Sequence, residues 1–274
     1  MALLEFNFES EYLNGNTNVS IIVPDKKRGI SPAEFYGSDQ KYKVLWLLHG
    51  TFGDHSDWLR KSNIELYACE KDLIVVMPSG LNANYANWES FSIGYNMYDY
   101  LVKELMPFVY GWLPASDKRE DNFIAGLSMG GRGSLLYASN FPELFAGCAV
   151  LSAAAAPLDN LGKDETNHIA YRNLIRAKHV GGVEVFKNSY ENIWRNIDEK
   201  AASGVLPRFY VAVGSDDRGA ENCRRFAKHL EELGLESKFT EIPGYAHEWR
   251  FWDITIQEAL EYFGLTGKDE GNPF

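Results

Sequence analysis

Three shortages narrow the chain before any motif is read. Cysteine is scarce: Cys69, Cys148 and Cys223 are scattered, too few for a disulfide framework and without the spacing of a zinc site. Their odd number suits a reducing compartment. No apolar run approaches the roughly 18 residues that a membrane span needs. Positive charge is also in deficit. The 27 Lys and Arg against 38 Asp and Glu leave a formal net charge of −11, a field that repels nucleic-acid phosphates and anionic lipid surfaces. Neither nucleic acid nor a membrane is expected as a partner. The stretch MALLEFNFESEYL turns acidic at once and has no basic n-region. It does not read as a secretory signal, and a cytoplasmic protein is expected.

What is present is globular. With 45% hydrophobic and 24% charged residues, disorder is not the default reading. LLEFNFES and NVSIIVP suggest two early antiparallel strands. PDKKRGISPAEFYGSDQKY is rich in turn formers and reads as a loop. KVLWLLHG, LIVVMP, DNFIAG, AGCAVLSAAA and RFYVAVG are continuous apolar runs, as in strands buried on both faces. SKFTEIPG reads as a further strand. SDWLRKSNIELYACEKD has helical spacing, and MYDYLVKELMPFVYGWL reads as a helix interrupted at Pro107. ENCRRFAKHLEELG and HEWRFWDITIQEALEYFG read as later helices. Strand and helix therefore alternate over the later two-thirds, which predicts a mostly parallel central sheet with helices on both faces. Residues 1–274 read as a single α/β domain. A lid-like insertion falls at about 157–205, and the KDEGNPF tail is expected to fray.

The segment Gly126-Leu127-Ser128-Met129-Gly130 lies between a predicted strand and a predicted helix. Gly-x-Ser-x-Gly in that setting is a nucleophile elbow: a sharp turn lifts the serine hydroxyl clear of the backbone, and only glycine fits beside it. The elbow predicts the α/β-hydrolase fold. The five-residue pattern is short, and the strand before it and the helix after it carry the argument.

A serine hydroxyl needs a base, and the base needs an orienting carboxylate, in the chain order Ser, Asp or Glu, His. Of six histidines, His49 and His55 precede Ser128. His168 and His179 fall in the insertion, and His229 lies on an amphipathic helix. His247 follows the last strand and precedes the last helix, in a loop at the carboxyl edge of the sheet where open α/β sheets bind ligands. It is the expected base. VAVGSDDRG places Asp216 and Asp217 after a buried strand, and loop direction favours Asp217 as the acid. Two backbone N–H groups should form an oxyanion hole. One belongs to Met129, and the other lies in His49-Gly50-Thr51-Phe52-Gly53, with Thr51 preferred and Phe52 second. His49 is expected to buttress that turn. Trp88 and Trp249 are the aromatics most expected to touch substrate. No metal or cofactor is implied.

Taken together, LLHGTFGDHSDWL, VVMPSG, GLSMGG, VGSDD and GYAHEWRFW resemble the esterase D group of α/β-hydrolase esterases. That group includes tributyrin-type carboxylesterases, feruloyl and acetyl-xylan esterases, S-formylglutathione hydrolases and mycolyltransferases. The resemblance spans about residues 40–264. It implies ester hydrolysis through an acyl-enzyme, with Ser128 as nucleophile, Asp217 as acid, His247 as base and His49, Gly50 and Thr51 in the oxyanion segment. The segment HGTFG departs from the Ser-Gly-Leu-Thr-Cys usual in the S-formylglutathione hydrolase branch, which places the nearest match in the bacterial tributyrin or acetyl-esterase branch. The expectation is a serine carboxylesterase for short acyl esters, with acetylated or feruloylated carbohydrate esters among the small-molecule substrates. An acyltransferase, an S-formylglutathione hydrolase-like thioesterase and a non-catalytic binding protein are the alternatives. The oligomeric state, including a homo-oligomer, is open.

Overall fold

A computed structural model describes residues 1–158, 161 and 168–267. One sheet contains β1 (Ala2–Ser10), β2 (Gly15–Val23), β3 (Val44–Leu48), β4 (Ile74–Pro78), β5 (Asn122–Leu127), β6 (Gly147–Leu151), β7 (Arg208–Gly214) and β8 (Ser237–Ile242). Their spatial order is β1-β2-β4-β3-β5-β6-β7-β8. β1 pairs antiparallel with β2, and β2 antiparallel with β4; every other pairing is parallel. This is the mostly parallel α/β-hydrolase arrangement that the sequence predicts.

The apolar runs form strands because both faces are covered. Alternate residues of β3 point to opposite cores. Val44, Trp46 and Leu48 meet one set of helices, and Leu45 and Leu47 meet the other. The first face carries α3 (Met106–Trp112), α4 (Met129–Asn140), α6 (Ile193–Lys200) and α7 (Ala220–Glu232). The second carries α1 (Asp57–Lys61), α2 (Ile64–Glu70) and α8 (Trp249–Tyr262). Burying each large aliphatic side chain contributes about 1.5–3 kcal/mol, which is why continuous rather than alternating hydrophobicity marks these strands. Cys148 and Cys223 are buried in the first core, and all three cysteines are free.

Four local expectations are corrected. The helical run beginning at Ser56 is split at Ser62 and Asn63 into α1 and α2, because the Asp253 carboxylate accepts hydrogen bonds from the Asn63 backbone and side chain at 2.8 and 2.9 Å. Pro107 does not interrupt its helix. A π-helical stretch, Tyr100–Leu105, leads directly into α3, and this wider turn accommodates a residue that has no N–H to donate. The polar loop after β2 contains a short helix, Pro32–Tyr36, whose Glu34 N–H donates to the Ser31 hydroxyl at 3.2 Å. The long loop after β4 holds a two-residue strand pair, Asn87–Trp88 with Tyr95–Asn96.

The insertion after β6 contains α5 (His168–His179), a short helix Val183–Lys187, and α6. The rest of its predicted span between 159 and 167, apart from Leu161, lies outside the described residues, as does the KDEGNPF tail. Among the described residues, no helix is long and apolar enough to cross a membrane.

The topology sets the position of the site. From β3 the chain steps to β4 on one side and then returns to β5 on the other. The loops after β3 and β5 therefore diverge at the carboxyl edge, the crevice where open parallel sheets bind ligands.

Candidate active site

Ser128 sits between β5 and α4 with φ 52° and ψ −119°. A side chain in that region costs about 1–3 kcal/mol and persists only where its surroundings hold it. Here the Ser128 N–H donates to Leu151 O at 2.8 Å, and the Arg132 N–H donates to Ser128 O at 3.1 Å. The flanking glycines leave no room for side chains. A Cβ on Gly126 would lie 2.5 Å from Gly130 O, and one on Gly130 would lie 2.6 Å from His49 O. Three glycines in α4 disfavour helix, yet every residue of α4 except Arg132 and Asn140 is buried. Burial therefore forms this helix, not propensity.

The loop after β3 lies against the serine: a Cβ on Gly50 would come within 3.5 Å of Ser128 Cβ. His49 is buried beneath this loop. Its Nδ1 donates to Gly50 O at 2.7 Å, and its Nε2 accepts from the Gly80 N–H at 2.8 Å. A carbonyl only accepts and an amide N–H only donates, so the tautomer is fixed as neutral Nδ1–H. Burial, the largest influence, lowers its pKa. The Tyr85 hydroxyl donates to His49 O at 3.1 Å, and its ring is buried in the core. Of the two N–H groups weighed for the oxyanion hole, that of Phe52 is occupied. It donates to Asn82 Oδ1 at 2.8 Å, and Phe52 takes a φ of 66°. The Thr51 N–H has no hydrogen-bond partner among the described residues. The Met129 N–H is the first of α4, where helix geometry leaves donors without an intrahelical partner.

The loops after β7 and β8 meet. A Cβ on Gly214 would strike the Tyr245 carbonyl carbon at 2.5 Å, and the Asp216 N–H donates to Tyr245 O at 2.9 Å. This docking brings His247 Nδ1 to 2.8 Å from Asp217 Oδ2. The other carboxylate oxygen accepts the Gly219 N–H at 2.8 Å. Burial would raise the pKa of Asp217, but the hydrogen bonds from His247 and Gly219 outweigh it and hold the carboxyl below the ordinary aspartate value. The Asp217 side chain is 1% exposed and that of His247 is 30% exposed. The acid is shielded while the ring remains accessible. With Nδ1 committed to Asp217, Nε2 is turned away from it. Asp216 is exposed and accepts only a local hydrogen bond from the Ser215 hydroxyl, at 2.8 Å. Trp252 packs edge-on against His247, with ring centroids 5.0 Å apart.

The two tryptophans have packing partners of their own. Trp249 meets Trp58 and Trp252 edge-on, with Lys61 Nζ 5.1 Å from its ring centroid. Trp88 donates its indole N–H to Ala83 O at 2.8 Å and lies under the Arg176 guanidinium at 4.2 Å. Asn82, Arg172 and Glu191 are site neighbours that sequence reasoning missed. Arg172 donates to the Thr51 hydroxyl at 3.1 Å. The four-residue spacing of Arg172 and Arg176 places both on one helical face and is the signal that could have drawn attention to the pair. Among the described residues, no cluster of His, Cys, Asp or Glu could hold a metal ion.

The whole chain is similar to known esterases. The family model described as "Putative esterase" matches residues 10–263. An acetyl esterase of Caldicellulosiruptor saccharolyticus is 30% identical, over 96% of this chain and 98% of its own. The structure of FphF, a fluorophosphonate-binding serine hydrolase of Staphylococcus aureus, superposes with a TM-score of 0.79 at 28% identity, covering 96% of this chain and 98% of that one. An S-formylglutathione hydrolase (FrmB) from the same organism gives 0.77 at 28% identity with the same coverage. The HGTFG segment therefore does not separate this chain from a relative of that type in overall likeness.

Proposed function

Because the chain belongs to this esterase family, we propose that it is a serine carboxylesterase that cleaves short-chain acyl esters through an acyl-enzyme. The observation that carries the reading is the 2.8 Å bond between His247 and a buried Asp217, on loops leaving the same sheet edge as the Ser128 elbow. In this reading His247 Nε2 takes the Ser128 proton as Oγ attacks the ester carbonyl. Asp217 holds the ring in the required tautomer and stabilises the imidazolium that forms. The carbonyl oxygen gains negative charge and accepts hydrogen bonds from the Thr51 and Met129 N–H groups, with the positive end of α4 behind it. The imidazolium then protonates the departing alcohol. Water, deprotonated by the same histidine, attacks the acyl-enzyme, and the acid is released as the imidazolium returns the proton to Ser128 Oγ.

The acetyl esterase relative supports a short acyl group. Carbohydrate acetyl esters are the proposed natural class within this reading. Ser128→Ala should abolish p-nitrophenyl acetate hydrolysis with the melting temperature unchanged or raised, since the substitution removes only the hydroxyl. Turnover retained in that variant contradicts the assignment.

A further inference from the structure

We propose that Arg172, on the insertion, is a positioning residue that sets the oxyanion loop through the Thr51 hydroxyl, and that Glu191 anchors the helix carrying it to the nucleophile's own helix. The inference rests on the reading of Thr51 as an oxyanion donor. Arg172 and Arg176 lie one turn apart on α5. Arg176 is 1% exposed, and its Nε donates to Glu191 Oε1 at 3.1 Å while Nη2 bonds the same oxygen. The Glu191 side chain is fully buried and also accepts from Arg132 Nη2 at 3.3 Å. Arg132 lies on α4, one turn beyond Ser128, and its backbone N–H bonds Ser128 O. A buried carboxylate thus joins the elbow helix to α5. Removing one arm of such a network would leave a buried charge uncompensated.

From α5, Arg172 Nη1 reaches the Thr51 hydroxyl at 3.1 Å. Among the described residues, the partner of Arg172 is this neutral hydroxyl. Thr51 is β-branched, and holding its Oγ1 restricts both χ1 and the backbone beside it. That backbone includes the N–H proposed to meet the oxyanion, whose direction matters most in the transition state. The insertion therefore contributes to the chemical step without touching the reacting atoms.

The test uses Arg172→Ala, Arg172→Lys, Thr51→Val and the Arg172→Ala/Thr51→Val pair, with p-nitrophenyl acetate as substrate. Thr51→Val removes the hydroxyl but keeps the N–H. Each single removal should lower kcat about tenfold with KM within about twofold, less than the loss of a whole oxyanion donor. The double variant should lose no more than either single variant, because the two residues act as one unit. Arg172→Lys keeps a cationic donor for a single hydrogen bond and should recover most of kcat. An unchanged kcat in Arg172→Ala overturns the proposal, as does a double variant whose losses multiply to about a hundredfold. Failure of the esterase reading shows separately: the wild-type enzyme would then not be labelled at Ser128 by a fluorophosphonate.

Discussion

At the scale of single residues, two adjacent aspartates occupy different environments. Asp217 is enclosed and bonded to His247 and to the Gly219 N–H, whereas Asp216 faces solvent. Replacing Asp217 with Asn exchanges an acceptor oxygen for a donor and favours the wrong imidazole tautomer. Asp217→Asn should lower kcat by about 10³–10⁴, the scale for a triad acid. Asp216→Asn should stay within about twofold, as surface substitutions do. Steady-state kinetics of the two variants check this; a larger loss in the Asp216 variant would move the acid by one position. The sequence narrows the acid to this pair, and loop direction and the family resemblance favour Asp217. The packing of Tyr245 onto Gly214 decides which of the two meets the histidine. The choice between Thr51 and Phe52 was similar. It turns on Asn82, thirty residues away, which takes the Phe52 N–H, and no local pattern encodes that contact.

At the scale of elements, the elbow is a tightly constrained joint. The backbone of α4 approaches the carboxyl end of β3 so closely that a Cβ on Gly130 would meet the Leu48 and His49 carbonyl oxygens. Neither neighbour can yield: Leu48 ends a central strand, and His49 is held by Gly50 and Gly80. Gly130→Ala should therefore destabilise the protein by about 3 kcal/mol or more, beyond the usual cost of overpacking by a methyl group, and should also reduce kcat. Thermal melts and kinetics on one preparation check both effects; an unchanged melting temperature would mean the strand end moves aside. The glycines around Ser128 announced this crowding in the sequence. The π-helical entry to α3 and the break between α1 and α2 were not legible. The first depends on how the chain absorbs Pro107, and the second on a carboxylate from α8.

At the scale of the whole molecule, uninterrupted hydrophobic runs identified the parallel strands because helices cover both faces of the sheet. From β3 to β8 the strands run parallel, so the loops that carry Ser128, Asp217 and His247 leave the same edge of the sheet. Trp88 and Trp249 show where this legibility stops. Their sequence positions suggest loops near the crevice, but one ring lies under Arg176 and the other packs against Trp58 and Trp252. Which face an aromatic presents depends on partners that spacing does not name. The nucleophile is the centre of the proposed chemistry. The chain offers a direct measurement, because trypsin releases Glu120–Arg132, a peptide whose only serine is Ser128. After treatment with a fluorophosphonate, mass spectrometry should find the phosphonyl adduct on that peptide, and His247→Ala should label far more slowly. An enzyme that hydrolyses esters while this peptide stays unmodified, or carries its adduct on another serine, contradicts the account.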